Sequence, residues 1–343
     1  MDKEALIGKT LHELQEITSA LKLPAFTAKQ ICEWLYQKRA TNIDLMTNIS
    51  VKNRELLKEN YCVGRTTVVE VMKSEDGTKK YLFQTQQGYI ESVFIPEEER
   101  ATLCVSSQVG CKMDCLFCMT GKQGFAGNLT AGDILNQIFS IPETDQLTNV
   151  VLMGMGEPLD NSLAVLRALE ILTSDYGCAW SPKRITVSSI GLIPGLKVFL
   201  ERSKCHLAIS LHNPFSEERL KLMPIEKAYP IQDVIKLLKD YDFNHQRRVS
   251  FEYILFKGYN DTMRHARELV RLLSGLECRV NLIRFHEIPG VDLKSANEEQ
   301  ITWFRDYLTQ NNIISTIRKS RGEDILAACG MLSTAKKQEE EKD

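Results

Sequence analysis

From Ala101 onward the chain alternates between short apolar runs of strand length and longer runs with helical apolar spacing. The strand-like runs are 103–105, 149–153, 185–188, 206–211, 249–255 and 279–284; helix-like stretches occupy 131–140, 161–173, 195–202, 231–241, 262–274 and 297–310. A strand that leads through a helix to the next strand of the same sheet makes a parallel crossover, almost always right-handed. Six such alternations in about 220 residues predict an α/β architecture, either a partial or complete barrel or a doubly wound sheet. In such barrels the chemistry gathers at the C-terminal ends of the strands. The loops after these six runs are therefore where functional residues are expected.

The residues before this alternation differ in character. Up to about residue 62 the pattern is helical, with Leu11, Leu14, Ile17 and Leu21 at helical spacing, then Ile31, Trp34 and Leu35 after Pro24. Residues 66–72 and 80–83 flank Asp76-Gly77, a hairpin signal, and a further strand at 89–95 follows Gly88. The expected division is a helical module at 1–63, a β-hairpin segment at 64–100, a barrel at 101–334 and a charged tail at 335–343. With 343 residues, 43% hydrophobic and 26% charged, the chain has the composition of a soluble globular protein. No apolar run approaches the ~20 residues of a membrane span, and no signal peptide is evident, so a cytoplasmic protein is expected. The net charge of −2 gives no global signal for nucleic acid. Any RNA contact would come from local basic clusters such as Lys38-Arg39, Lys183-Arg184 and Arg247-Arg248, each of which is also readable as an ordinary solvated face.

Ten cysteines in a cytosolic chain point to metal or catalytic thiols rather than to a disulfide scaffold. Three of them, Cys111, Cys115 and Cys118, stand in the spacing C-x3-C-x2-C directly after the first barrel strand. Four ligands close a structural zinc site, whereas three thiolates on a cubane iron–sulfur cluster leave one iron open to an exogenous ligand. A zinc knuckle with a distant fourth ligand, or three unrelated thiols, remain the alternatives at this point. Four other segments fall at expected strand ends: Gly154-Met-Gly-Glu-Pro158, Ser188-Ser-Ile-Gly191, Ser210-Leu-His212 and Arg284-Phe-His286. Singly, each is explained by a tight turn, a helix cap or a packed histidine. Together they would ring one mouth with glycine amides, a carboxylate and hydroxyls, a set suited to a zwitterionic, ribose-bearing cofactor. Near the chain end Cys329 lies among small residues in Ala327-Ala-Cys-Gly330, readable either as a small buried thiol or as one open to close approach.

Taken as a set, these blocks resemble the radical S-adenosylmethionine enzymes. More narrowly, over nearly the whole length, they resemble the RlmN family of RNA adenine-C2 methyltransferases. The resemblance rests on Leu103-Cys-Val-Ser-Ser-Gln-Val-Gly-Cys111, Cys115-Leu-Phe-Cys118, Met153-Gly-Met-Gly-Glu-Pro-Leu159, Ile209-Ser-Leu-His212 and Arg321-Gly-Glu-Asp-Ile-Leu-Ala-Ala-Cys-Gly330. It implies a partial (β/α)6 barrel whose Cys111, Cys115 and Cys118 hold a [4Fe–4S] cluster. It implies S-adenosylmethionine contacts at Gly156, Glu157, Ser188, Ser210, Leu211 and His212, and at His286, where the family pattern has Asn. C2 of adenine is an electron-poor carbon that cannot attack a methyl sulfonium, so a radical route is required and the cofactor carries it. Two S-adenosylmethionine molecules are then used per turnover. One methylates Cys329; the other is cleaved to a radical that activates this S-methyl group for addition to C2. Glu91 matches the family's proton acceptor, and Cys104 matches the thiol that frees the product by forming a transient disulfide with Cys329. On its own, Glu91 reads as a solvent-facing strand residue.

The implied substrates are an adenosine in the peptidyl-transferase region of 23S rRNA and the adenosine 3′ of the tRNA anticodon. The implied partners are an electron donor such as flavodoxin or ferredoxin and a thiol reductant, with the enzyme acting as a monomer. The helical module at 1–63 is then an RNA-docking domain, with Lys29, Lys38 and Arg39 as phosphate contacts. The neighbouring reading is an enzyme like the Cfr proteins, which methylate C8 of the same adenine; Val109 and Pro158 match the C2 enzymes better. A radical S-adenosylmethionine activase would need no Cys329, and a zinc-binding RNA chaperone would be colourless.

Overall fold

The computed structural model describes residues 3–243 and 248–327. The N-terminal module holds β1 (Glu4–Ala5), α1 (Leu11–Ala20), α2 (Thr27–Cys32), α3 (Val51–Asn60) and β2 (Tyr61–Cys62), with α2 continued by a π-helical turn at Glu33–Gln37. Thr10 and Glu13 form a reciprocal capping box that starts α1, and Leu14 and Ile17 turn inward one helical turn apart. β1 and β2 pair in parallel and close the module on itself.

Three antiparallel strands follow: β3 (Val68–Lys73), β4 (Lys79–Thr85) and β5 (Gly88–Pro96), then β6 (Ala101–Cys104). A small hairpin of β7 (Gln108–Gly110) and β8 (Phe125–Asn128) encloses the cysteine run and the short α4 (Met119–Lys122). The alternation then proceeds as α5 (Ala131–Phe139), β9 (Asn149–Leu152), α6 (Ser162–Thr173), β10 (Ile185–Ser189), α7 (Ile193–Arg202) and β11 (His206–Ser210). It finishes with α8 (Ser216–Leu222), α9 (Ile231–Asp240), β12 (Val249–Leu255), α10 (Met263–Leu273), β13 (Cys278–Arg284), α11 (Glu298–Gln310) and β14 (Ile314–Ile317).

All the main strands share one sheet, in the order β14-β13-β12-β11-β10-β9-β6-β5-β4-β3. The run from β14 to β6 is parallel, and β5, β4 and β3 extend it antiparallel. The expected partial barrel is present, with two free edges and one strand more than expected, β14. Residues 64–100 do not stand apart from the sheet; they lengthen it by three strands.

Strand register separates two faces, because side chains alternate with a period of two. One face carries Leu103, Val150, Ile185, Val187, Leu207, Ile209, Phe251 and Val280, all fully buried. The other carries Cys104, Ser188, Ser210, Glu252, Asn281 and Thr316. Parallel strands are ordinarily apolar on both faces, so a polar second face marks the side where chemistry is built.

Candidate active site

Cys111, Cys115 and Cys118 lie in the loop between β7 and α4. The path of this loop requires glycine at one point. Gly110 has φ of 73°, and a Cβ there would stand 1.8 Å from the Gly124 carbonyl oxygen. Backbone bonds then fix the thiols: Cys111 N–H donates to Gly124, Cys118 N–H to Cys115, and Leu116 N–H to Leu222. Burial, reinforced by the neighbouring Cys118 and Cys111 sulfurs, pushes the Cys115 thiol well up, and burial also pushes Cys111 up to about 12. Thiols so disfavoured as free anions fit a cationic inorganic partner that takes them as thiolates. Among the described residues no three His, Cys, Asp or Glu side chains converge as they would on a single ion.

The Gly154-Met-Gly-Glu157 loop packs on the strand before the cysteines. Met155 accepts from the N–H groups of Ser107 and Gln108 (2.9 and 3.2 Å), and its own N–H donates to Ser106 Oγ (2.9 Å). Gly156 has φ of 93°, and a Cβ there would meet Gln108 Cβ at 2.5 Å. Glu157 is buried, and both its oxygens are already engaged, Oε1 by Leu159 N–H (3.1 Å) and Oε2 by Ile190 N–H (3.0 Å). Burial pushes its carboxyl up to about 7, against the opposing pull of these backbone donors. Its side chain thus braces the end of β10, and its own N–H donates to Gln108 Oε1 (2.8 Å).

His212 follows β11 with φ of 54° and is likewise buried. Its Nδ1 accepts from Ile254 N–H (3.1 Å), which leaves the proton on Nε2. Its ring meets Phe117 of the cysteine loop edge-on at 4.8 Å. Burial, aided by the charge of Arg219, lowers its pKa to about 3. Ser188 and Ser210 are half-buried on the polar face, and Leu211 is fully buried behind them. His286 follows β13 and meets Ser320 Oγ at 3.4 Å.

Arg219 was not singled out from the sequence. It has 0% exposure, and its guanidinium donates to the carbonyls of Ile190, Ser210 and Leu211 (2.9, 2.9 and 3.0 Å) and pairs with Glu226. One buried cation therefore ties the ends of β10 and β11 together. In the sequence it sits beside Glu217, Glu218 and Lys221, which disguise it as a solvated helix face.

The other end of the sheet holds a different set. Val93 of β5 is paired with Cys104 of β6, and Glu91 lies two residues along on the same face. Glu91 is not solvent-facing as its strand pattern suggested: it is 4% exposed and pairs with Lys80 Nζ at 3.2 Å. Burial pushes the Cys104 thiol up to about 11, opposed by a backbone hydrogen bond and by the charge of Arg318. Arg318, just after β14, pairs with buried Glu252 at 3.2 Å, and Asn281 donates to that same carboxylate at 2.8 Å. The chain then crosses the polar face from β14 at one edge to the β3–β4 turn near the other. There Gly322 N–H donates to Asp76 (3.0 Å) and Ser74 Oγ to Asp324 (2.5 Å). Cys329 and the tail 335–343 lie outside the described residues. Of the basic residues expected to meet phosphate, Lys38 pairs with Glu33 at 2.7 Å and Arg39 with Asp145 at 2.5 Å, while Lys29 is exposed. No helix among the described residues is long and apolar enough to cross a membrane.

Comparison with known proteins bears on both halves. Residues 105–272 match the Radical SAM superfamily, and residues 5–63 match the ribosomal RNA large subunit methyltransferase N-terminal domain. The chain is 62% identical, over 343 residues and 100% of both chains, to a probable dual-specificity RNA methyltransferase RlmN of Bacteroides fragilis. It is 41% identical to the dual-specificity RNA methyltransferase RlmN of Syntrophus aciditrophicus, covering 97% of each chain. Among solved structures it resembles a radical SAM methyltransferase from Sphaerobacter thermophilus, with a TM-score of 0.89, 39% identity, and coverage of 95% of this chain and 98% of that one.

Proposed function

The chain belongs to the RlmN family of radical S-adenosylmethionine methyltransferases, and from that premise we propose that it methylates C2 of adenine in 23S rRNA and in tRNA. The observation that carries the reading is the strand register that sets Glu91 and Cys104 on one polar face, beside strand ends suited to a cofactor. The superfamily uses S-adenosylmethionine and a [4Fe–4S] cluster, which supply one-electron chemistry able to activate an unreactive C–H bond. Cys111, Cys115 and Cys118 would hold the cluster. Gly156, Glu157, Ser188, Ser210, Leu211, His212 and His286 would hold S-adenosylmethionine, two molecules of which would be used per turnover.

The protein's own groups then divide the work. Cys329 as thiolate displaces a sulfonium-bound methyl group and carries it as a thioether. Once that carbon has joined C2, the adduct gives up one electron, which the cofactor's redox chain would take back, and Glu91 accepts the C2 proton. Cys104 as thiolate attacks the Cys329 sulfur; the S–S bond forms as the C–S bond breaks, and the bonding pair stays with the carbon, which takes one proton to complete the methyl group. Two electrons from a thiol reductant restore both thiols. Burial raises the Cys104 thiol to about 11, and the charge of Arg318 works against that rise. Residues 1–63 dock the RNA, 64–100 carry the base, and 101–334 carry the cofactor and both exchanging thiols. A flavodoxin or ferredoxin supplies electrons, and the enzyme works as a cytoplasmic monomer.

Nucleoside analysis of 23S rRNA and tRNA from strains with and without the gene tests the reading. Loss of 2-methyladenosine from both RNAs is the expected result. Loss of 8-methyladenosine instead, or no change, would overturn it. Loss from rRNA alone would remove tRNA from the substrates.

A further inference from the structure

We propose that Lys80 is a positioning residue for the methyl-transfer reaction, holding the Glu91 carboxylate and the C-terminal segment in a fixed relation. The inference rests on the reading above for the role of Glu91.

A lysine is almost never fully buried unless its charge is paired, because removing an ammonium from water is expensive. Lys80 is 1% exposed, as the second residue of β4. Register puts it opposite Val93, hence on the face shared by Glu91 and Cys104. Its ammonium has two partners from distant parts of the chain: Glu91 Oε2 at 3.2 Å and the carbonyl of Leu326 at 2.7 Å. The first belongs to the neighbouring strand, the second to a segment 246 residues further on. Leu326 has φ of 49°, a left-handed conformation that an L side chain adopts only when held, and Ala327 N–H closes the turn onto Gly322 (2.9 Å).

Anchoring alone would not require this buried charge. The segment is already fastened at the β3–β4 turn, where Asp76 takes Gly322 N–H and Asp324 takes Ser74 Oγ and Glu75 N–H. The two Asp324 bonds are at the surface, the Asp76 bond is part-buried, and none of them uses a buried ammonium. What Lys80 adds is a shared donor between the carboxylate and the segment's last described turn, so that neither moves without the other. Acid–base catalysis depends on this kind of placement, since a displacement of about 1 Å costs on the order of 100-fold in rate.

The test compares Lys80→Met with Lys80→Arg and Asp324→Asn in the full-length, cluster-loaded enzyme. Four quantities are measured: melting temperature, cluster absorbance, S-methylation of Cys329 by intact mass, and 2-methyladenosine formed per 5′-deoxyadenosine released. Lys80→Met leaves Glu91 buried without its partner and so is expected to lower the melting temperature, but to keep the cluster absorbance and the S-methylation and to lower the coupling ratio by about tenfold or more. Lys80→Arg, which retains the charge, is expected to recover a large part of the loss. Asp324→Asn, at the outer fastening, is expected to change the ratio by less than about threefold. If Lys80→Met does not fold, Lys80→Gln replaces it under the same criteria, because its amide can still donate to Leu326 without a charge for Glu91. Unchanged coupling in the neutral variant overturns the proposal. So does an equal fall in Asp324→Asn, which would reduce Lys80 to an anchor. A wild-type enzyme that releases 5′-deoxyadenosine but makes no 2-methyladenosine overturns the underlying reading instead.

Discussion

The two ends of the polar sheet face are built on opposite plans. Around β9, β10 and β11 the polar side chains are turned onto the protein itself: Glu157 caps the N–H groups of Leu159 and Ile190, Arg219 gathers three carbonyls, and His212 accepts from Ile254. These groups brace the strand ends. Around β4 and β5 the buried charged groups meet each other and an irregular segment that crosses from the far edge: Lys80 with Glu91 and Leu326. The first region is suited to hold something in one geometry. The second is suited to chemistry in which a sulfur must come and go. A preformed binding shell next to a segment held by a few ionic ties separates rigidity from motion within one sheet.

The sharpest way to break this division is to remove one cysteine from each side. Cys118→Ala should lose the cluster, and with it all release of 5′-deoxyadenosine and all product. Cys104→Ala should keep its brown colour and the methyl group on Cys329, yet form product at least about 10³-fold more slowly and accumulate a covalent enzyme–RNA adduct. Denaturing electrophoresis with nuclease treatment, read beside anaerobic absorbance, checks both. A Cys104 variant with Cys329 methylated and no bound RNA would remove Cys104 from the release step.

The next effect is on stability and belongs to the braced side. Arg219→Met leaves Glu226 buried without its partner and three carbonyls without a donor, a change that costs about 3–5 kcal/mol. Denaturant unfolding should show this loss together with weaker binding of S-adenosylmethionine. A comparable loss on Lys294→Met, an exposed pair with Glu287, would mean that burial is not what distinguishes the bracing residue. Gly156→Ala is expected to cost less, about 1–3 kcal/mol, from the left-handed backbone it must keep. The contact at Gln108 adds to this, and cofactor affinity should fall with it.

How far these two plans could be read from sequence differs in the same way. The alternation located the barrel strands to within a residue or two, and 249–255 coincides with β12. It passed over β14, because Ile314-Ser-Thr-Ile317 is short, half-exposed and on an edge, so no apolar run announces it. The three cluster thiols were legible because their spacing is local. Glu91 was misread because what buries it, Lys80 and the Leu326 turn, comes from another strand and from the far end of the chain. Alternation along one strand cannot report a cover contributed from so far away. Arg219 was missed for a related reason: its three carbonyl partners are strand ends that only the fold brings to it.

A last effect, nearly flat in the wild type, tests whether Glu157 and His212 brace their strand ends as neutral groups, and its sign differs between the two residues. Glu157 has a folded pKa raised from 4.5 to about 7. Between those values the native state holds a proton that the unfolded chain has lost. Its stabilising contribution is therefore full below 4.5 and is lost as pH rises through about 7. His212 has a folded pKa lowered from 6.5 to about 3. Its contribution is full above 6.5 and is lost as pH falls toward 3, because there only the unfolded chain takes the proton. From pH 4.5 to 6.5 the two slopes, each about 1.4 kcal/mol per pH unit, are opposite and largely cancel. In denaturant unfolding under anaerobic conditions, the wild type should be nearly flat across this window relative to its single variants. His212→Asn should become less stable as pH rises through it, and Glu157→Gln more stable. Parallel slopes in the two variants would mean that at least one of these groups is charged in the folded protein, and that residue would no longer count as a neutral brace beside the ionic one of Arg219 and Glu226.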